Sequence, residues 1–305
     1  MTTNKFRKIF LVINKFAGHR KKYSTAVSQV VSVLQEYGCE VEYSYTNHPG
    51  HATELASTAA NKGFELVVAV GGDGTVNEVA QGLIGTSTPM GIIPMGSGNG
   101  LGRDLGISMN IRKSARLLVE GKIIQIDVCR INSQRFLCTS GIGFDAQVAD
   151  KMAKSTSRGF LRYIQLTFQE SIAFKPFRIK MKVKDLLIER LVFLVTFANA
   201  RQFGNNAFIA PKADISDGLM DVVVVKPFPK IWLPVFGIGL FLGIIPKLPF
   251  VEYHKAKQVE LQFADTPFFH FDGEPGKLEI PAKIGVDSEK LFVLAGGDKG
   301  NNNKF

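Results

Sequence analysis

Five acidic residues of this chain sit where a carboxylate can do chemistry: Asp73, the pair Asp214 and Asp217, and Asp272 with Glu274. Asp73 lies within Gly71-Gly72-Asp73-Gly74-Thr75-Val76-Asn77-Glu78, directly after the apolar run Leu66 to Val70 and ahead of an amphipathic stretch. Strand, glycine turn and helix start follow one another here. The glycines clear side chains from the turn, and the helix N-terminus aims backbone N–H groups at an anion, so the stretch is a candidate phosphate site. A carboxylate at Asp73 would hold a metal ion or orient a nucleophile beside that phosphate. The plainer alternative is an ordinary βα turn with Thr75 as N-cap.

A second glycine cluster strengthens the phosphate reading. The short apolar run Met90 to Pro94 is followed by Met95-Gly96-Ser97-Gly98-Asn99-Gly100-Leu101-Gly102-Arg103. Two glycine loops, each leaving a predicted strand, would lie side by side at the carboxyl edge of a parallel sheet, where open α/β folds bind ligands. Ser97, Asn99 and Arg103 supply a hydroxyl, an amide and a guanidinium suited to a polyphosphate. The chain has no GxxxxGK[ST] sequence and no clean GxGxxG fingerprint followed by a strand-end acid.

The other acids read locally as turns. Asp214-x-x-Asp217-Gly218-Leu219 offers short acids and main-chain carbonyls that suit a hard cation such as Mg2+. It also fits a solvated Asp-Gly turn before a strand. Phe268 to Gly276 reads as a hairpin, with Asp272-Gly273 as its turn.

With these segments in hand, a resemblance is clear. GGDGTVNEVAQGL and GIIPMGSGNGLGRDLGI resemble the catalytic domain shared by diacylglycerol kinases, sphingosine and ceramide kinases and the bacterial lipid kinases, relatives of the NAD kinases. The match extends to Asn14-Lys15-Phe16-Ala17-Gly18, to Thr46 with Gly50-His51-Ala52, and to Gly141-Ile142-Gly143-Phe144-Asp145-Ala146. It continues through Ala210 to Val222 and Phe271-Asp272-Gly273-Glu274-Pro275, covering nearly the whole chain in the family's order. The resemblance implies that Glu274 accepts the proton of the lipid hydroxyl, with Asp272 beside it. It implies a structural Mg2+ held by Asp217 and the carbonyls of Asp214 and Leu219. It also implies an ATP site in a cleft between two domains. That site would be formed by Gly71, Gly72, Asp73, Gly74, Thr75, Val76 and Asn77, with Asn14, Lys15, Phe16, Ala17, Gly18, Thr46 and Ser97 around it.

One residue departs from the pattern. Diacylglycerol kinases commonly carry Asn-Asp where this chain has Asn99-Gly100, and Asp104 is the nearest acid in sequence. The form seen here is more like the sphingosine and ceramide kinase side, which leaves the acceptor lipid open.

The elements that must position these groups change character along the chain. In the first part, strands Lys8 to Ile13 and Glu40 to Tyr45 alternate with helices Ser24 to Tyr37 and His51 to Lys62. The apolar residues Val27, Val30, Val31 and Leu34 mark one face of the first helix. This βαβα order predicts a doubly wound parallel sheet, as a nucleotide-binding α/β domain over 1–121. Past Gly121, neighbouring strands predict an antiparallel, sandwich-like β domain over 122–286, the lipid-substrate domain by the resemblance. Its strands are Ile123 to Ile131, Arg135 to Thr139, Phe177 to Val183, Leu187 to Ala198 and Met220 to Val225, then Gln258 to Phe263, Pro267 to Phe271 and Lys277 to Ile280. One helix, Ser155 to Phe174, interrupts it, with Phe160, Ile164, Thr167, Phe168 and Ser171 on one face. The family pattern returns 287–305, including Lys290 to Leu294, to the first domain.

Composition sets the partners. The chain has 305 residues, 45% hydrophobic and 21% charged, with net charge +10, which favours an anionic partner. Its three cysteines, Cys39, Cys129 and Cys138, lack metal spacing and read as reduced, and no apolar signal core follows the N-terminus, so a cytoplasmic protein is expected. Ile231 to Ile245 carries no charge between Lys230 and Lys247. It is shorter than the ~20 residues of a bilayer span. It fits a buried helix, or a segment that contacts lipid with Trp232 at headgroup level. Basic residues between Lys151 and Lys184 would face anionic lipid, or form a solvated face. The five histidines show no ligand spacing, His51 reading as helix-start chemistry and the rest as surface or satisfied core residues. No nucleic-acid motif is present. The sequence leaves a homodimer open.

These readings converge on an ATP- and Mg2+-dependent kinase for a lipid hydroxyl, diacylglycerol-like or a sphingoid base, peripheral to an anionic membrane. The alternatives are an NAD-kinase-like enzyme with a soluble acceptor and a catalytically silent lipid- or nucleotide-binding protein.

Overall fold

The computed structural model describes residues 6–15, 20–155, 160–265 and 268–296. They form two compact units, one of residues up to Ile126 together with those from Glu289, the other Asp127–Ser288. Phe16, Ala17 and Gly18 lie outside the described residues.

The first unit runs β1 (Lys8–Ile13), α1 (Arg20–Glu36), β2 (Glu40–Tyr45), α2 (His51–Asn61), β3 (Leu66–Gly71), α3 (Asp73–Leu83), β4 (Met90–Pro94), α4 (Gly100–Asp104) and α5 (Ile111–Glu120). Strands β3 and β4 are buried at every position, as unbroken apolar runs between two layers must be. Strand β2 is mostly exposed and forms the edge. All pairings among these four are parallel, in the order β2-β1-β3-β4. The chain therefore reverses its direction of sheet growth at β1, and the carboxyl ends of β1 and β3 flank the switch point where open α/β sheets bind ligands. Helix α1 begins four residues earlier than its apolar spacing suggests, at Arg20 rather than Ser24. It stops before Gly38, whose φ of 76° supplies the left-handed step that ends a helix.

The second unit takes over within β5 (Lys122–Ile131) and continues as β6 (Gln134–Phe136), β7 (Thr139–Gly143), α6 (Phe144–Ala153), α7 (Phe160–Ala173), β8 (Phe177–Val183), β9 (Leu186–Val192), β10 (Leu194–Ala198) and β11 (Met220–Val225). Then come α8 (Leu233–Leu242), β12 (Val251–Ala256), β13 (Gln258–Ala264), β14 (Phe269–Phe271), β15 (Glu274–Gly276) and β16 (Ala282–Ala295). One antiparallel sheet has the order β12-β11-β10-β7-β14-β15; in the other, β13 lies between β8 and the first half of β16. Phe136, Ile179, Phe197, Val222, Leu261 and Ile284 fill one buried core between them, which makes this unit a β sandwich.

Several expected elements differ. The strand expected over Leu187 to Ala198 is two strands in two sheets, turned at Phe193, whose N–H and carbonyl bond Val225 and Phe144. Arg135 to Thr139 is broken at Leu137-Cys138, where the amides go to a side chain instead of a ladder. Helix α6 was hidden in the Gly141 to Ala146 motif. On α7, Ile164 and Phe168 are exposed while Leu166 and Ser171 are buried, so the residues expected on one face are divided between surface and interior. Lys277 to Ile280 is not a strand, and Pro267 lies outside the described residues. The second half of β16 is in the first unit, where Val293 pairs in parallel with Met90 of β4.

Candidate active site

In the first unit the fully buried β3 delivers Gly71 to the start of α3. A Cβ at Gly71 would fall 2.4 Å from Thr75 Oγ1, so only glycine lets the helix begin this close to its strand. The N-cap is Gly72, whose carbonyl accepts the Val76 N–H at 3.0 Å. The N–H groups of Asp73, Gly74 and Thr75 thus belong to the helix's first turn, which makes no intrahelical bonds. Thr75 is not the N-cap. Its Oγ1 accepts a 3.0 Å bond from Asn14 Nδ2, across the switch point between β1 and β3.

The two glycine loops touch through their backbones. A Cβ on Gly96 would lie 2.7 Å from Gly72 Cα. Asp73 joins them: Oδ2 accepts the Asn99 N–H at 2.8 Å and Oδ1 the Gly100 N–H at 2.7 Å. Asn99, at φ 50°, closes the second loop on itself. Its Oδ1 accepts from Gly96 N–H at 3.0 Å, and its Nδ2 donates to the Gly96 carbonyl at 2.8 Å. Arg103 Nε donates to the Gly98 carbonyl at 3.0 Å, so this guanidinium braces the loop it was expected to extend toward phosphate. Asp73, expected to hold a metal or orient a nucleophile, fixes the second loop with both oxygens.

The other expected nucleotide residues sort by burial. Thr46 is buried and donates its N–H to the Ile13 carbonyl, which places it beside Asn14 at the end of β1. Val76 is core, Asn77 accepts from Gln81 Nε2 at 3.1 Å, and Lys15 and Ser97 are exposed. Glu78, to which the sequence assigned no role, accepts the Ala52 N–H at 3.1 Å and locks α2 against α3.

In the second unit, Asp272 and Gly273 at φ 47° and 83° form the two-residue turn between β14 and β15, with Phe271 paired to Glu274. Glu274 is exposed at the start of β15. The Asp272 carboxylate accepts the N–H groups of Leu137, Cys138 and Thr139 at 2.8, 2.7 and 3.0 Å. Burial pushes its pKa up, against the pull of those three amides. Its oxygens face backbone, so Asp272 braces the turn and the break between β6 and β7.

Asp214 and Asp217 do share one turn, with Asp214 Oδ1 accepting from Ser216 N and Oγ and Asp217 Oδ1 from Leu219 N. The second oxygen of Asp217 accepts Lys255 Nζ at 2.8 Å, and the same ammonium lies 3.7 Å from Asp221. Burial works against the charge on Lys255, but the bond to Asp217 and the field of Asp221 raise its pKa on balance. A divalent ion bound through Asp217 would share this carboxylate with Lys255. Lys255 follows Asp217 by 38 residues, a partnership no local pattern signals.

Two family models decide the lineage. Residues 8–131 match the diacylglycerol kinase catalytic domain, and residues 139–295 match the YegS C-terminal NAD kinase beta sandwich-like domain. The chain belongs to this lipid kinase family. A diacylglycerol kinase of Mycobacterium tuberculosis (strain ATCC 25618 / H37Rv) is 29% identical over 296 residues, 94% of each chain. One from Bacillus subtilis (strain 168) is 28% identical, covering 87% of this chain and 89% of that one. A probable YegS-like lipid kinase of Chromohalobacter salexigens is 28% identical over 82% of each. The crystal structure of a putative diacylglycerol kinase from Bacillus anthracis str. Sterne has the same fold, with a TM-score of 0.79 and 24% identity over 97% of both chains.

Two further features of this lipid kinase family member bear on its surface. His48, His51 and Glu54 bring their ligand atoms within 4.8 Å of one another, the rings stacked 4.7 Å apart. Yet the Asn47 N–H donates to His51 Nδ1 at 3.1 Å. The neutral ring must then carry its proton on Nε2, leaving no lone pair for a metal. The cluster is helix-start architecture. The second feature is apolar. Around α8, Phe236 and Ile245 are buried, but Ile231 is 83% and Ile238 59% exposed, and on α7 Phe168 is 62% exposed. Lys230 Nζ donates to the Ile172 carbonyl and ties the end of α7 to the start of this segment. Among the described residues, no helix is long and apolar enough to cross a membrane.

Proposed function

We propose that this family member is an ATP-dependent lipid kinase that transfers the γ-phosphoryl group to a lipid hydroxyl. The observation that carries the reading is the Asp73 clamp: it holds two glycine loops together beside the first turn of α3, whose N–H groups suit an anion. The phosphates would lie on Gly71 to Asn77, with Asn14, Thr46 and Ser97 around the nucleotide. Phosphoryl transfer needs positioning and charge neutralisation more than covalent chemistry. Mg2+ arriving with ATP would supply part of that neutralisation, and the Asp217 turn, already paired with Lys255, is given no share in it.

Glu274 is the group assigned to take the proton of the acceptor hydroxyl, since it is exposed on a turn whose other acid is committed to backbone. The exposed residues Ile164, Phe168, Ile231 and Ile238, with Lys175, Lys230 and Lys247 close in sequence, form the surface assigned to an anionic membrane. Apolar contact and charge would act together there. Incubating the protein with labelled ATP, Mg2+ and a panel of lipids, followed by separation of the products, tests the reading. A labelled diacylglycerol or long-chain base is expected. Transfer only to a soluble acceptor, or to none, would replace it.

A further inference from the structure

Glu274 acts, in the reading above, from a turn of two residues. A base carried this way needs its turn fixed, and a buried network behind the hairpin has the geometry to fix it. Thr196 of β10, Gly141 of β7 and His270 of β14 are direct cross-strand neighbours in one row of the sheet. The middle position has no side chain, and the carboxylate of Asp145, from α6, fills that space. A Cβ on Gly141 would fall 2.1 Å from Asp145 Oδ2 and 2.7 Å from His270 Nε2. The glycine of the Gly141 to Ala146 motif is therefore required by the acid four residues later.

The bonds in this network run in one direction. Asp145 Oδ1 accepts the Ala146 N–H at 2.9 Å, and Oδ2 accepts the Thr196 hydroxyl at 3.0 Å. Oδ2 also lies 3.3 Å from His270 Nε2. The other ring nitrogen, Nδ1, faces the Gly273 N–H at 3.2 Å. A backbone N–H can only donate, so Nδ1 must be the bare nitrogen and Nε2 must carry the proton, which it gives to Asp145. The ring is 2% exposed, and its own carbonyl accepts the Ser140 hydroxyl at 2.6 Å. Asp145 thus selects the tautomer, and the tautomer holds the amide of the residue before Glu274.

We infer that Asp145 and His270 are positioning residues for Glu274: the buried pair sets the direction of the base by anchoring Gly273, while Asp272 anchors the other half of the turn. The inference rests on Glu274 being the proton acceptor. It assigns to His270 a role in rate and none in nucleotide binding.

Two substitutions divide the functions of the ring. Asn reproduces the Nδ1 acceptor and loses the reach to Asp145; Gln reproduces the Nε2 donor and loses the acceptor for Gly273. His270→Gln is expected to lower kcat on the order of tenfold with KM for ATP within about twofold, and to speed hydrogen exchange of the Gly273 amide. His270→Asn should lose less than about threefold and keep that amide protected. In a Glu274→Gln background, His270→Gln should add less than about a twofold further loss, because both act through one group. If the Gln variant does not fold, Thr196→Val, which removes a donor from Asp145, carries the same expectation at about threefold. A Gln variant with wild-type kcat, equal losses in Asn and Gln, or losses that multiply with Glu274→Gln would overturn the positioning role. An active Glu274→Gln single variant would instead overturn the assignment of the base.

Discussion

The carboxylate of Asp73, in the first glycine loop, accepts at 2.7 Å the N–H of Gly100, 27 positions later in the second. The donor is a backbone amide, which any residue but proline would offer at position 100, so this contact does not depend on the side chain there. Two charge-assisted bonds from one carboxylate, each worth about 1.5–3 kcal/mol, are enough to set the relative position of the loops.

Asp73→Asn should therefore uncouple the loops without unfolding the α/β unit. An amide can accept only on one oxygen, so one of the two N–H groups loses its partner. Activity is expected to fall on the order of 10²-fold and ATP affinity by about tenfold. Isothermal titration with a non-hydrolysable ATP analogue would read the second quantity. Wild-type affinity would remove Asp73 from the site's architecture.

Glu274→Gln keeps shape and loses basicity. The expected result is a fall in kcat on the order of 10²-fold at unchanged ATP affinity. Steady-state kinetics on the lipid identified by the panel would measure it. If the Gln variant turns over normally, another group takes the proton.

Asp221 gives a pH test of the second unit. Its side chain is almost fully buried, and burial raises its carboxyl above the ordinary value of 3.8. The native state then favours the protonated form. The stability it contributes is complete below the ordinary value and is lost as pH rises through the raised native one. Asp221→Asn removes that dependence, so its Tm should gain on wild type as pH rises above the ordinary carboxyl value of about 4. A Tm difference that stays flat over this range would refute the sign.

Lys255 makes a prediction about metal. Because its ammonium already sits on Asp217 at 2.8 Å, EDTA added to protein without nucleotide should leave Tm unchanged within about one degree. A loss of several degrees would return a structural ion to the Asp214 to Leu219 turn.

The apolar surface directs its own test. Trp232 and Phe236 look equivalent in sequence, but Phe236 is buried, so replacing it would damage the core. Ile231→Ser with Ile238→Ser removes exposed side chains only. Binding to anionic vesicles should drop about tenfold or more and weaken further with salt, while Tm stays near wild type. Undiminished vesicle binding would move the membrane contact elsewhere.

How much of this was visible beforehand follows from the range of each interaction. The strands β1, β3 and β4 and the adjacency of the glycine loops were legible, because buried apolar runs ending in glycine have few other readings. The Asp272-Gly273 turn was legible for the same local reason. What Asp272 holds was not: its three amides lie 133 to 135 residues earlier in the chain. The break at Phe193 was hidden within a continuous β-rich run, since both halves remain strands and only their sheet changes. His270 was read only as a surface or satisfied core residue, because its partner Asp145 sits 125 positions away.

Strand β16 has a consequence for the making of the protein. Its last residues pair with β4, and Gly296 donates to the Leu105 carbonyl, so the sheet of the first unit is finished by the end of the chain. A growing polypeptide that has already delivered β4 must emit some 200 more residues, roughly ten to forty seconds of synthesis at about 5–20 residues per second, before that strand arrives. Throughout that interval the flank of β4 is an unpaired edge, open to any other extended segment. The birth of this protein should thus be more fragile than its mature fold, with variants near Val293 failing through aggregation during translation.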